Sequence, residues 1–364
     1  MRVQRVIMPV TEALSWTLLG DDGEPVEPVE TFLAFLSGLE RSPNTVRDRA
    51  MSLKLWFEFL DLGSLRYDGV GVDDVARFVA WLRAPADNVI VLDERAARRR
   101  QSTVNRHLTA VFSFYDHLAR AGCCELAEQL RSWGPRGRRG FKPFLHHATK
   151  GRLMLMRPVK VRGELPSRPR TLTREEIVSV IEACDHLRDK FLIVLLAETG
   201  MRIGQALGLR HADVVSRERT IRIVPRTDNA NGARAKTRRP TAIPVSTGVV
   251  RLYSEYLHTE YGDIDSDYVF VNLWAQPFGR PLTYDAVNKL VRKLRRRTGV
   301  DFTLHTLRHT AATDMIRAGV AIEVIARLLT HGSSTVTSQT YVHLDVDDVR
   351  AELDRAGVLG GGEQ

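Results

Sequence analysis

A chain of 364 residues is long for one hydrophobic core, so two domains are expected. Hydrophobic content of 43% and charged content of 27% describe an ordinary globular protein. No apolar run approaches the roughly 20 residues that span a bilayer, and MRVQRVIMPVTEALSW lacks a signal-like apolar stretch, so a cytoplasmic protein with no membrane partner is expected. A net charge of +9 and a pI near 9.7 point to a polyanionic partner, nucleic acid before an acidic membrane surface. Cys123 and Cys124 are adjacent and Cys184 stands alone, which fits neither a disulfide framework nor a CxxC metal pair; buried, inert thiols are expected.

In chain order, residues 3–8 and 15–19 read as two short strands, followed by the turn-rich GDDGEP. Residues 29–122 have a helical pattern. Ser42-Pro43 supplies an N-cap with proline at the first helical position, and Val46, Ala50, Leu53, Phe57 and Leu60 then recur at spacings of three and four. A second amphipathic stretch, 73–83, turns Val75, Phe78, Val79 and Leu82 inward. A third, 102–120, does so with Val104, Leu108, Val111, Tyr115 and Leu118. Trp56, Phe57, Phe112 and Phe114 fall on that spacing and are read as core rather than as platforms for bases.

Between residues 131 and 170 there are twelve Lys or Arg and one acid, Glu164, a local net of +11. The whole chain is +9, so the remainder sums to −2 and this one segment carries the basic excess. Its Gly and Pro content suits an extended strap along a phosphate backbone. Arg136, Arg138, Arg139 and Lys142 are its candidate DNA contacts, with Arg98, Arg99 and Arg100 from the helical region.

Thr173 to Glu176 forms a capping box that opens a new domain. Residues 190–198 are almost wholly apolar and end at Gly200, a natural stop. IRIV (221–224) and TAIPV (241–245) flank TDNANGARAKTRR, which reads as a β-hairpin with a long, flexible tip. YVFV (268–271) reads as a further strand. Helices follow at 284–297, 305–318 and 322–329, with weak amphipathic character at 346–356 and a Gly-rich end. The expected fold is mainly α with a small antiparallel β-sheet. Its expected parts are an N-terminal hairpin (1–26), a helical DNA-binding domain (27–130), a basic interdomain linker (131–170) and a catalytic domain with a C-terminal tail (171–364).

Arg202 in ETGMRIGQALGL, Lys236 in the hairpin, His305 and Arg308 in HTLRH, His331 in LLTHG and Tyr341 in SQTYVHL state a reaction. Attack on a phosphodiester needs a nucleophile, positive charge around the non-bridging oxygens and a proton donor for the leaving group. Arginine forks make paired hydrogen bonds to those oxygens and stay charged. His305 and Arg308 share a helix face at i, i+3. Lys236 is placed to act as general acid. Tyr341 is the candidate nucleophile; holding a phenol of pKa about 10 ionised at pH 7 costs about 4 kcal/mol, which the surrounding cations offset. Neither metal, cofactor nor ATP is required, because guanidinium groups supply the charge and one phosphodiester is exchanged for another.

These segments resemble the tyrosine recombinase (phage integrase) family over both expected domains. TGMRIGQALGL is similar to the first arginine box, HTLRHTAAT to the second, and LLTHG with TSQTYVHL to the closing histidine and nucleophile segments. Lys236 lies eight residues before Pro244, as the family's hairpin lysine does. Gln205 stands where an acid is usual, Thr330 replaces a glycine, and the His331 to Tyr341 spacing is one longer than the commonest. The resemblance implies a SAM-like core-binding domain and a catalytic domain closing as a C-shaped DNA clamp. It also implies a bacterial, phage or transposon-borne enzyme cutting double-stranded recombination sites through a 3′-phosphotyrosyl ester. A monomer off DNA and a homotetramer on two sites are expected, with accessory DNA-bending proteins as further partners. Three rival readings use fewer of the residues: a zinc site in HTLRH, a helix-turn-helix regulator over 322–341, and a type IB topoisomerase.

Overall fold

The computed structural model describes residues 1–8, 14–84, 99–122, 170–235, 237 and 239–329, with the backbone pairing of 132–135 and 153–156. The chain divides into two compact units, Met1–Ser167 and Arg168–Gln364. Among the described residues no helix is long and apolar enough to cross a membrane. As expected, the fold is mainly helical with small antiparallel sheets.

The first unit starts with an antiparallel pair, β1 (Arg2–Ile7) and β2 (Leu14–Leu19). Among the described residues four helices follow: α1 (Glu27–Gly38), α2 (Pro43–Leu62), α3 (Val72–Arg83) and α4 (Gln101–Arg120). Ser42 caps α2 by accepting the Thr45 N–H at 3.3 Å, so the Ser-Pro signal ends where expected. The face carrying Val46, Ala50, Leu53, Phe57 and Leu60 is buried together with Trp56. Phe112 and Phe114 are buried too. At the centre the Trp56 indole donates to the Tyr115 hydroxyl at 3.1 Å, which donates to the Tyr67 carbonyl at 2.9 Å. That chain satisfies two polar groups that burial would otherwise leave costly.

Within the basic segment, β3 (Ser132–Pro135) pairs antiparallel with β4 (Leu153–Met156). A single extended strap is therefore not what forms there. The segment folds back on itself over these residues.

In the second unit the Thr173 capping box is formed in both directions: the Glu176 N–H reaches the Thr173 hydroxyl and the Thr173 N–H reaches the Glu176 carboxylate. It starts α5 (Arg174–Glu182), and α6 (Leu187–Thr199) follows as the central buried helix. Gly200 ends α6 in the left-handed region at φ 61°. A short α7 (Ile203–Ala206) leads to a three-stranded antiparallel sheet, β5 (Val214–Val215), β6 (Thr220–Ile223) and β7 (Thr241–Pro244), in that order. Ile221 sits opposite Ile243, which bears out the hairpin; β5 is an unexpected third strand. Then come α8 (Thr247–Tyr256), α9 (Tyr284–Thr298), α10 (Leu304–Arg317) and α11 (Ile322–Leu328).

Two expectations need correction. YVFV is not a strand: Tyr268 and Val271 make isolated bridges to Arg210 and Pro281. Val269, Phe270 and Val271 are nonetheless fully buried, so this apolar run is core in an irregular segment. The sequence reading also passed over α8, whose Ser246 cap and buried Val249, Tyr253 and Tyr256 give a helical spacing. Cys184 is half-buried and its thiol donates to the Val180 carbonyl at 3.4 Å. Burial pushes that thiol up to about 12, consistent with an inert residue.

His107 in α4 is buried and meets the Ser52 hydroxyl at 3.0 Å. Burial foremost, then the charges of Arg106 and Arg99, pull it down to about 4. Below the ordinary histidine pKa of about 6.5 the unfolded chain binds a proton that the folded chain refuses. Its contribution to stability is complete above that pH and is lost as the pH falls toward 4. The urea midpoint of the first unit should drop between pH 7 and pH 5, and His107→Gln should flatten that drop. An unchanged pH dependence in the variant would assign the effect elsewhere.

Candidate active site

Arg308 is only 4% exposed, and backbone carbonyls take two of its hydrogen bonds. One guanidinium nitrogen donates to the Gly200 carbonyl and another to the Leu329 carbonyl, both at 2.7 Å. These acceptors orient the fork. Gly200 closes α6 and Leu329 caps α11, so one side chain on α10 ties three elements together. The approach is close: a Cβ on Gly200 would lie 2.8 Å from Leu329 Cδ2 and 3.2 Å from Ala311 Cβ.

Arg202 follows directly after the Gly200 turn and stands at the N-cap of α7. Its backbone N–H donates to Gln205 Oε1 at 2.7 Å. Gln205 is itself buried. The Arg202 guanidinium reaches the same Leu329 carbonyl at 3.4 Å. Both arginines are therefore referred to one oxygen, two residues before His331.

The connector between β6 and β7 is packed down. Arg226 makes a bidentate pair with Asp213 at 2.6 and 2.8 Å, and the Asn231 amide bridges the carbonyls of Leu207 and Leu282, each at 2.9 Å. Ala233 and Ala235 are buried on either side of Arg234. The expected flexible tip is thus corrected as far as residue 235: buried apolar atoms and satisfied amides anchor the chain there. Gly204 explains how closely it lies. A Cβ at that position would meet the Arg234 carbonyl at 2.4 Å and the Tyr284 hydroxyl at 2.2 Å.

Arg202, His305 and Arg308 line one cavity of about 510 Å³. Its other described walls include Arg234, Thr303, and Tyr284, Asn288, Arg292 and Arg295 on one face of α9. Five arginines and a histidine, with no Asp or Glu among the described lining residues, make it strongly electropositive. His305 lies in the first turn of α10, which Thr303 caps by accepting the Thr306 N–H at 3.1 Å. The half-buried His309 on the same helix is pushed down by burial first, then by His305 and Arg308.

Lys236, His331 and Tyr341 lie outside the described residues, as do Arg98, Arg136, Arg138, Arg139 and Lys142. Arg100 is the N-cap of α4. Arg99 donates to the Leu82 carbonyl at 3.1 Å and stacks over Trp81 at 5.9 Å, so it helps join α4 to α3. Sequence reasoning missed Arg234, Arg292 and Arg295 as lining groups. The signal was present in α9, where Tyr284, Asn288, Val291, Arg292 and Arg295 recur at spacings that keep one face.

The phage integrase family matches residues 170–347, and the phage integrase N-terminal SAM-like domain matches residues 29–122. The sequence is 38% identical over 357 residues, 98% of each chain, to transposase A from transposon Tn554 of Staphylococcus aureus. It is 26% identical over 335 residues to tyrosine recombinase XerA of Pyrococcus furiosus, covering 92% of this chain and 95% of that one. Among solved structures, the fold is similar to the Tn1549 transposon integrase in complex with transposon right end DNA. That match has a TM-score of 0.61 at 18% identity over 91% of this chain and 99% of the other.

Gly204 gives a direct check on this packing. Gly204→Ala should lower the stability of the second unit by about 1–3 kcal/mol, the usual range for overpacking. Adding Tyr284→Phe should recover part of the loss by removing one of the two clashing atoms. A thermal melt in which Gly204→Ala matches the parent would contradict the close approach.

Proposed function

The chain belongs to the phage integrase family and is a site-specific tyrosine recombinase; from that premise we propose that it cuts and rejoins duplex DNA at the ends of a mobile element through a 3′-phosphotyrosyl ester on Tyr341. The observation that carries the assignment of roles is the pair of arginines referred to the Leu329 carbonyl in a cavity with no Asp or Glu among its described lining residues. Oriented positive charge is what a phosphoryl-transfer transition state rewards. The Tn1549 integrase, solved with transposon end DNA, supports duplex DNA as the substrate.

The Tyr341 oxygen attacks phosphorus and the bond from phosphorus to the 5′ oxygen breaks. His305 takes the phenolic proton, and Lys236 donates a proton to the departing 5′ oxygen. Arg202 and Arg308 hold the non-bridging oxygens, with His331 completing the set. The step reverses when a 5′-hydroxyl from another strand attacks the tyrosyl ester, restoring a phosphodiester and the free tyrosine. Bond type is conserved, so no external energy source is needed. Each arginine is expected to supply about 3–4 kcal/mol, the scale of one lost transition-state donor.

The same proposal extends to assembly. The protein acts as a monomer off DNA and as a homotetramer on two recombination sites, with DNA-bending accessory proteins as further partners. The basic segment, through Arg136, Arg138, Arg139 and Lys142, follows the phosphate backbone together with Arg98, Arg99 and Arg100, so affinity falls steeply with salt.

A nicked suicide duplex carrying the element's end should trap a covalent adduct with the wild-type chain. Tyr341→Phe should give no adduct while binding the duplex with unchanged affinity. An adduct of normal yield from Tyr341→Phe would overturn the assignment of the nucleophile.

A further inference from the structure

The cavity is larger than one phosphate needs. Its volume of about 510 Å³ corresponds to roughly seventeen water volumes at ~30 Å³ each. Arg202, His305 and Arg308 serve the reacting group, which leaves Arg234 and Arg292 on the wall without a role.

Arg234 is held for a purpose that the protein itself does not satisfy. Its neighbours Ala233 and Ala235 are buried, and its carbonyl is pressed onto Gly204, so the root of the side chain is fixed. Among the described residues its guanidinium makes no hydrogen bond and no ion pair. Arg292 donates only to the Asn288 carbonyl of its own helix, at 3.3 Å. Arg295, by contrast, is paired with Asp301. Arg234 and Arg292 both line a cavity with no Asp or Glu among its described walls, and two cations there form a site for an anion.

Resting on the recombinase reading of Arg202 and Arg308, we propose that Arg234, assisted by Arg292, binds a second backbone phosphate of the cut strand, the one adjoining the scissile phosphate. Successive phosphates on a strand are separated by only about 3.4 Å of helix rise. A strand whose phosphate sits between Arg202 and Arg308 therefore carries a neighbouring charge toward the walls of the same cavity. Holding both phosphates fixes the direction of the strand, and hence the line from the nucleophile through phosphorus to the leaving oxygen. Arg234 is on this view a positioning residue, acting through the strand rather than on the reacting atoms.

Methylphosphonate scanning tests the pairing, because it removes one phosphate charge at a time and leaves the protein unaltered. The duplex bears the element's end, and two quantities are read: affinity for the Tyr341→Phe chain, and adduct rate with the wild-type nucleophile. Neutralising the adjoining phosphate should weaken binding or slow adduct formation about tenfold. In Arg234→Ala the unmodified duplex should show the same tenfold loss, the methylphosphonate should add no more, and the salt slope of binding should fall by about 0.9. Arg234→Lys should recover part of the loss. The inference is overturned if Arg234→Ala behaves as the parent, or if the adjoining methylphosphonate costs it as much as it costs the parent. A wild-type chain that forms no adduct would instead strike the Tyr341 assignment, and the binding readout would still decide the second phosphate site.

Discussion

The Leu329 carbonyl, shared by Arg308 and Arg202, is the interaction on which the second unit's site depends. A guanidinium buried to 4% exposure needs acceptors, and the structure supplies carbonyls. These carbonyls remove the freedom of the fork. The same bonds hold α11, whose own packing against α10 rests on a small cluster of Ala312, Ile325 and Leu329. Orientation of the arginines and placement of the chain just before His331 are thus one problem with one solution.

The second constraint is the close approach at the two glycines. Gly200 accepts the left-handed turn and the contact of Leu329, and Gly204 lets the β6–β7 connector lie against α7. Together they bring Arg202 and Arg234, more than thirty positions apart in sequence, onto one cavity. Asp213, Arg226 and Asn231 then anchor the connector with part-buried hydrogen bonds, so its position follows from satisfied polar groups as much as from apolar contact.

Much of this was legible in the chain. The Ser42-Pro43 start, the Thr173 capping box and the Gly200 stop are local signals, and each acts within one helical turn. Arg202, His305 and Arg308 were legible because phosphate chemistry restricts the residue types that serve it, and the structure brings these three to one cavity. Tyr268 to Val271 misled because a short buried apolar run has the same composition whether it pairs in a sheet or fills a core. Arg234 and Arg292 were passed over because a lone arginine in a basic chain reads as solvated surface; only the fold shows which of them face a cavity. The Leu329 carbonyl carried no signal, since any residue supplies that oxygen.

On the proposed function, Arg308 acts as an oriented fork, held by two carbonyls, rather than as a bare positive charge. Single-turnover formation of the covalent DNA adduct by Arg308→Lys tests it most directly, with duplex affinity measured alongside. Lysine keeps the charge but cannot span both carbonyls and a phosphate oxygen. The account predicts a loss of at least about 100-fold in rate, on the scale of one lost oriented donor, with affinity changed by no more than about threefold. Adduct formation at the parental rate would contradict it.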